Sequence, residues 1–215
     1  TAQFRVVTHH LSPDEQQLYD ECATYYADPE VAQSRAGDLA RLRFFANLIT
    51  AFKTNTAVTR AIEHLECGRQ VLVTLQGTGA SASAQRRELQ AQRPDLAHAG
   101  ALAVATIRSA MRDGLPEHRL LAMAERLFGR LPADPIDVLR QRLGAWGVVE
   151  LSGKGSPSAV LTQANVSKFQ RGEARVAILS AAAGQGLSLH ANRTDSAQRA
   201  HLLLELPWSA EAFIQ

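Results

Sequence analysis

Four short apolar runs restrict the folds open to this chain, and they span residues 70–75, 148–151, 175–180 and 201–206. Runs of this length are typical of strands buried on both faces of a parallel sheet. A helical pattern over residues 162–170 separates the second run from the third, and such a strand, helix and strand form a βαβ unit. The sequence therefore predicts an α/β fold with a doubly wound parallel sheet.

Helical periodicity dominates the chain before the first of these strands. A Ser-Pro pair at residues 12–13 marks a helix start, and we expect this helix to run to about Tyr26. Apolar residues then recur at helical spacing over residues 38–66, which predicts two helices broken near residues 54–56. Weak alternation over residues 4–8 predicts a further strand.

Residues 83–146 interrupt the pattern of strands. Their apolar residues recur at helical spacing between prolines and glycines, so we expect a helical insertion after the first strand. A connection of this length is unusual in a compact sheet and offers a surface for a partner protein. A noncatalytic interaction module is therefore one alternative function.

The overall composition identifies no partner. The chain is 46% hydrophobic and 20% charged, which is ordinary for a globular protein, and Lys+Arg minus Asp+Glu is 23 − 21 = +2. So small a net charge does not mark a nucleic-acid-binding or membrane-binding protein. Its apolar runs are shorter than the roughly 20 residues of a membrane span. We expect a cytoplasmic protein without a membrane partner.

The cysteines and histidines do not suggest a metal site. Cys22 and Cys67 are far apart and form no CxxC or Cys/His pattern, which fits a reducing compartment. The seven histidines also lack the spacing of metal ligands. We therefore predict no metal bound by this chain.

Two loops of small residues directly follow predicted strands. Residues 76–82 follow the first strand, and residues 181–191 follow the third. Ligands bind at the carboxyl ends of parallel strands, where small residues let them approach the backbone N–H groups. The first loop also matches a loose dinucleotide fingerprint, with Asp95 as the only nearby candidate for the partner acid, so a nicotinamide or flavin enzyme is a second alternative. Neither loop is the phosphate loop of the NTPases.

Glu205 lies in the otherwise apolar fourth run. An isolated buried carboxylate is costly, so we expect Glu205 to be paired or to lie at a sheet edge. The chain then passes through Pro207 and Trp208 to a helix start at Ser209. We predict a structural role for Glu205 and assign no catalytic residue to the chain.

Three sequence segments follow one another in a distinctive order. They are Leu75-Gln76-Gly77-Thr78-Gly79, then Phe169-Gln170-Arg171-Gly172 with residues 180–189, and finally Glu205-Leu206-Pro207-Trp208-Ser209-Ala210. In this order they resemble motif IV, motif V and the start of motif VI in the C-terminal helicase half of the Strawberry notch family. That family is related to the Swi/Snf-type superfamily 2 ATPases. The likeness covers most of the chain outside residues 83–146.

The resemblance implies a RecA-like parallel sheet with flanking helices and a helical insertion. Superfamily 2 motors place ATP between two RecA-like domains, and this chain resembles the second. Residues 69–82 and 147–215 would form that domain, residues 1–68 a helical lead-in packed against it, and residues 83–146 the insertion. The first domain, a partner in the same polypeptide, would hold most of the ATP and Mg²⁺.

The resemblance also implies roles for individual residues. Four residues are expected to face a nucleic-acid backbone, namely Gln76, Thr78, Gly79 and Ser180. The expected nucleic acid is DNA, bound without sequence preference. Those expected near the nucleotide are Gly184, Gly186 and Ser188. The motif VI arginines of the family would follow Gln215, so we expect this chain alone to lack ATPase activity. Gly77 and Ala80 depart from the serine and glutamate that are more usual in the family.

Overall fold

The computed structural model describes residues 3–29, 35–75, 126–127, 129–151, 159–180, 189 and 198–205. The elements in these ranges are α1 (Pro13–Tyr26), α2 (Arg35–Glu66), β1 (Gln70–Leu75), α3 (Pro135–Leu143), β2 (Val148–Leu151), α4 (Ala159–Gln170), β3 (Val176–Ser180) and β4 (Arg199–Leu203). A short 3-10 helix, Gly144–Trp146, joins α3 to β2.

The four strands form one sheet in the order β2-β3-β1-β4, and every neighbouring pair is parallel. This arrangement confirms the predicted α/β fold with a parallel sheet. The predicted bounds of β1 and β2 are confirmed, and β3 begins one residue later than expected. Strands β2 and β3 are adjacent and are connected through α4, which confirms the predicted βαβ unit.

Strand β4 differs from its predicted position at residues 201–206. Pairing with β1 begins at Arg199, opposite Gln70, and the strand ends at Leu203. Leu204 and Glu205 form a bend instead, although the Leu204 N–H still donates to the Thr74 carbonyl at 3.3 Å. The apolar run continues through this bend, so hydrophobicity alone could not mark the end of the strand.

Helix α1 begins where the sequence predicts. The Ser12 hydroxyl accepts from the Glu15 N–H at 3.3 Å, and a Glu15 carboxylate oxygen accepts from the Ser12 N–H at 2.8 Å. This capping box satisfies two backbone donors that would otherwise lack partners.

The strand predicted at residues 4–8 is wrong. Phe4 and Val6 are 70% and 77% exposed, and no described strand pairs with this segment.

Helix α2 is continuous from Arg35 to Glu66, so the break predicted near residues 54–56 is wrong. Threonine and asparagine favour breaks because their side chains compete for backbone hydrogen bonds. Here the Thr54 hydroxyl donates to the Thr50 carbonyl one turn earlier at 2.9 Å, which keeps it within the helix. Thr54 is only 2% exposed, so tertiary packing covers the position at which the sequence suggested a break.

The two halves of α2 belong to different hydrophobic clusters. The first half packs with α1 in a cluster made of Leu18, Cys22, Tyr26, Phe44, Leu48, Phe52 and Leu127. The second half packs on one face of the sheet, and Val58, Ala61 and Leu65 there are at most 1% exposed. Helix α4 covers the opposite face through Phe169. One helix is therefore shared by a helical pair and by the sheet.

Helix α3 also packs on the sheet, although its sequence lies inside the predicted insertion. Ile136, Leu139 and Leu143 belong to the same cluster as Val71 and Ile178. The preceding Arg130 forms an ion pair with Glu21 of α1 at 2.5 Å. The end of residues 83–146 is thus part of the core, while the division of the whole chain into lead-in, insertion and sheet domain stays a prediction.

Within the described ranges, every helix is too short or too polar to traverse a lipid bilayer.

Two glycines with positive φ provide a matched test of the chain path around β2. At Gly147 (φ +70) an added Cβ would lie 3.1 Å from the Glu173 carbonyl oxygen, whereas at Gly172 (φ +76) it would meet nothing within 4 Å. We expect Gly147→Ala to lower the free energy of unfolding by about 2–4 kcal/mol, because backbone strain and steric overlap add together. Gly172→Ala should cost only about 1 kcal/mol, from strain alone. Urea denaturation of both variants checks this, and equal losses would contradict the close approach at Gly147.

Candidate functional site

The carboxyl ends of all four strands lie along one edge of the sheet. Leu75 at the end of β1 is the register partner of Ser180 at the end of β3, and Thr74 is the partner of Leu203 in β4. Leu151 at the end of β2 pairs with Leu179. Neighbouring strands are about 4.8 Å apart, so the segments that resemble motifs IV, V and VI leave the sheet side by side.

Most of the predicted site residues lie outside the described part of the chain. Ser180 is the last residue of β3, and its backbone lies beside Leu75. The other expected site residues are Gln76, Thr78, Gly79, Gly184, Gly186 and Ser188, and none of them is in the described ranges. The same holds for Asp95 of the dinucleotide alternative. The structure does show that the two glycine-rich loops start next to each other, at the register partners Leu75 and Ser180.

Helix α2 contacts this carboxyl edge where β4 ends. The Thr50 hydroxyl lies 2.6 Å from a Glu205 carboxylate oxygen, and the Lys53 ammonium donates to the Leu204 carbonyl at 3.3 Å. Glu205 is therefore paired, and it follows a strand at the edge of the described sheet, which confirms both expectations. Nothing in the sequence identified Thr50 and Lys53, because polar residues within an amphipathic helix are ordinarily solvent-facing.

The Thr50 hydroxyl has two oxygen neighbours but only one hydrogen. Besides Glu205, the carbonyl oxygen of Ala46 lies 2.9 Å from it. A hydroxyl donates one hydrogen bond at a time, and an ionised acceptor gives the shorter and stronger bond. The 2.6 Å distance indicates that the proton is directed to Glu205. The hydrogen bond that joins α2 to the end of β4 is therefore charge-assisted.

His201 and Thr74 form a cross-strand pair on β4 and β1. The His201 Nε2 atom lies 2.7 Å from the Thr74 hydroxyl oxygen. Although His201 is exposed as a residue, desolvation of its ring lowers its pKa. The imidazole is thus neutral at pH 7 and adds no fixed positive charge near the carboxyl edge.

A polar network closes the opposite, amino edge of the sheet. Gln70 is only 3% exposed, and its side-chain amide donates to the Phe169 carbonyl at 2.6 Å. Its amide oxygen accepts from Arg199 Nε at 2.9 Å. The same guanidinium donates to the Leu189 carbonyl at 2.5 Å and lies 5.0 Å from the centroid of the Phe169 ring. These contacts position α4 and the start of β4, and sequence reasoning missed Gln70 and Arg199.

The Phe-x-x-Gly segment has a structural explanation in this network. Phe169 is fully buried, and its carbonyl accepts from the Gly172 N–H at 3.1 Å as well as from Gln70. Gly172 has a positive φ and ends α4. The segment thus terminates the helix and directs the chain into β3, because a glycine with positive φ caps a helix without steric cost.

In the described part of the chain, no three His, Cys, Asp or Glu side chains group as metal ligands.

Comparison with known proteins shows which family the second half of this chain is similar to. Residues 137–215 match the model of the C-terminal domain on Strawberry notch homologue. The chain is similar to Protein strawberry notch homolog of Caenorhabditis elegans, with 38% identity over 120 residues that cover 45% of this chain and 6% of that protein. Identity to Protein strawberry notch of Drosophila melanogaster is 35% over 122 residues, 46% of this chain and 7% of that protein.

A human relative gives the same result. Protein strawberry notch homolog 1 of Homo sapiens is 34% identical over 119 residues, 45% of this chain and 8% of that protein. The match thus spans less than a tenth of the length of each of these relatives. No solved structure gives a significant match. The family match begins within α3 and includes β2, β3 and β4. Helix α3 itself packs on the sheet. The resemblance found in the sequence is therefore confirmed over residues 137–215, which are similar to the C-terminal, helicase-like domain of Strawberry notch proteins.

Proposed function

We propose that this chain is the second RecA-like domain of a DNA-dependent ATPase or helicase-like protein. In this role it grips a nucleic-acid backbone and forms one wall of an ATP cleft. The observation that carries the proposal is the register at the carboxyl edge, where Leu75, Ser180 and Leu203 end three adjacent parallel strands. Ligands of open α/β sheets bind at this edge. The family match over residues 137–215 supports a helicase-like domain on independent grounds.

The proposed grip on nucleic acid uses short polar side chains and backbone amides. Gln76 directly follows β1, and Thr78 and Gly79 follow within three residues, while Ser180 ends the neighbouring strand. Amides, hydroxyls and backbone N–H groups at such positions donate to phosphate oxygens and carry no sequence information. The proposed partner is therefore a DNA backbone, bound without base readout.

The proposed contribution to ATP binding comes from the loop after β3. Gly184, Gly186 and Ser188 would lie near the nucleotide, since that loop starts at the same edge of the sheet. The 215 residues contain no G-x-x-x-x-G-K-[ST] phosphate loop. We therefore assign the phosphates and Mg²⁺ mainly to a first RecA-like domain, which is the proposed protein partner.

DNA binding by the purified chain tests the proposed grip. Fluorescence anisotropy with labelled single-stranded and duplex DNA should show binding that weakens steeply as salt rises, because backbone contacts release counter-ions. Gln76→Ala should weaken binding by up to about tenfold, since one hydrogen bond is lost. The slope of log affinity against log salt should not change, because the amide is neutral. Arg60→Ala is the control, since Arg60 pairs with Glu63 on the exposed side of α2.

Two results would contradict the proposal. One is DNA affinity that is insensitive both to salt and to Gln76→Ala. The other is ATP turnover by this chain alone in a preparation shown to be free of contaminating ATPase, since the chain has no phosphate loop.

A further inference from the structure

We propose that Thr50 and Lys53 of the lead-in helix α2 are positioning residues, which fix the direction in which the chain leaves β4 toward the segment that resembles motif VI. This inference deepens the proposed function and rests on it. The inference rests on the contact of two α2 side chains with two consecutive residues, Leu204 and Glu205. These residues are 151 and 155 positions away from their partners along the chain.

The geometry holds the end of β4 from two sides. On one side the Leu204 N–H donates to the Thr74 carbonyl of β1 at 3.3 Å. On the other side the Leu204 carbonyl accepts from Lys53, and the next side chain, Glu205, accepts from Thr50. Two consecutive residues are thus fixed through a backbone N–H, a backbone carbonyl and a carboxylate. These three points hold the chain in place at the end of β4.

The positions of Thr50 and Lys53 on α2 suit this role. They are three residues apart and so lie on one side of the helix. Lys53 lies between the cluster that α2 forms with α1 and the cluster that it forms with the sheet, and Thr50 lies one turn earlier, between two residues of the first cluster. The rise of 1.5 Å per residue places Thr50 about 24 Å from Glu66, which is longer than the roughly 20 Å of a six-residue strand. The earlier part of α2 therefore extends beyond the carboxyl edge, and the two side chains lie at that edge.

The burial of Thr50 and the strength of its hydrogen bond to Glu205 indicate a specific contact. Thr50 is only 3% exposed, so its hydroxyl is removed from competing water. A hydrogen bond to an ionised acceptor contributes more than a neutral one, and a buried group that loses its partner costs stability. A simple solvent-facing role for Thr50 is inconsistent with this burial.

The experiment compares two tryptophans in the chain. Trp146 lies in the 3-10 helix before β2, and Trp208 follows Glu205 by three residues. With 5-fluorotryptophan incorporated into the whole chain, Trp146→Phe assigns the two ¹⁹F resonances. We expect Thr50→Val and Lys53→Met each to move the Trp208 resonance and to leave the Trp146 resonance in place. Thr50→Ser keeps the hydroxyl and should restore the original Trp208 resonance.

Thr54→Val is the matched control. Thr54 is buried on the same helix, but its hydroxyl donates to the Thr50 carbonyl within α2, whereas that of Thr50 donates to Glu205. Its replacement should leave the Trp208 resonance unchanged. The positioning role is overturned if Thr50→Val leaves the Trp208 resonance unchanged, or if Thr54→Val moves it equally.

A double-mutant cycle gives a second, independent readout. Thr50→Val and Glu205→Leu should each raise the unfolding equilibrium constant about tenfold, and the double variant should be no worse than either single variant. Additive losses would overturn the direct contact. Neither readout uses nucleic acid, so a chain that fails to bind DNA contradicts the proposed function but leaves the result for Thr50 and Lys53 intact.

Discussion

Phe169→Ala is expected to lower the free energy of unfolding by about 3–5 kcal/mol, because it leaves a cavity in a close-packed core. Phe169 is fully buried between α4 and the sheet, and the guanidinium of Arg199 lies over its ring. Both the apolar burial and the cation–π contact are lost with the ring. Urea denaturation monitored by far-UV circular dichroism measures the effect.

Phe4→Ala is the matched control for this measurement. Phe4 is 70% exposed, so its replacement should change stability by no more than about 0.5 kcal/mol. Phe169→Leu should retain part of the stability, because a smaller cavity is left. A loss below about 1 kcal/mol in Phe169→Ala would show that the ring is not packed as the structure has it.

Asn55→Pro is expected to cost about 3 kcal/mol or more, because proline inside a helix removes a backbone hydrogen bond and clashes with the carbonyl four residues earlier. Asn55 is exposed in the middle of α2, so its side chain contributes little by itself. Two helices broken at residues 54–56, as the sequence predicted, would accept this proline at low cost. The same variant therefore distinguishes the continuous helix from the broken one.

The control is Asn55→Ala, which keeps the helix and should be neutral or slightly stabilising because alanine has the higher helix propensity. Cys22 provides a further readout in a Cys67→Ser background. Cys22 is fully buried, and burial raises the pKa of its thiol to about 11, so it should resist alkylation at pH 8. Asn55→Pro should speed that alkylation by opening the cluster shared by α1 and α2. Unchanged stability together with unchanged alkylation would contradict a continuous α2.

The positions of β1, β2 and β3 and the start of α1 were predictable because they depend on local chemistry. The β1 run marks a buried strand by its aliphatic residues alone, and Ser12 with Glu15 forms a cap within four residues of chain. The glycine-rich loops after β1 and β3 were also visible in the sequence, as was the need of Glu205 for a partner. Such features need no knowledge of distant contacts.

The identity of the partners was not predictable. The contact of Thr50 with Glu205 and that of Gln70 with Arg199 join residues more than a hundred positions apart. The continuity of α2 likewise depends on burial of Thr54, which local propensity does not report. The strand prediction at residues 4–8 was wrong for a related reason. The segment has the apolar alternation of a strand, but it pairs with no strand of the described sheet.

The sequence by itself determined the parallel α/β class, the cap of α1 and the resemblance to the Strawberry notch family, because apolar periodicity and short motifs are properties of neighbouring residues. Only the tertiary structure decided which strands are adjacent, that α2 is one helix, and that Thr50 and Lys53 meet the end of β4. The physical reason is that hydrogen bonds and burial between distant segments depend on the tertiary fold, which no pattern of neighbouring residues reports.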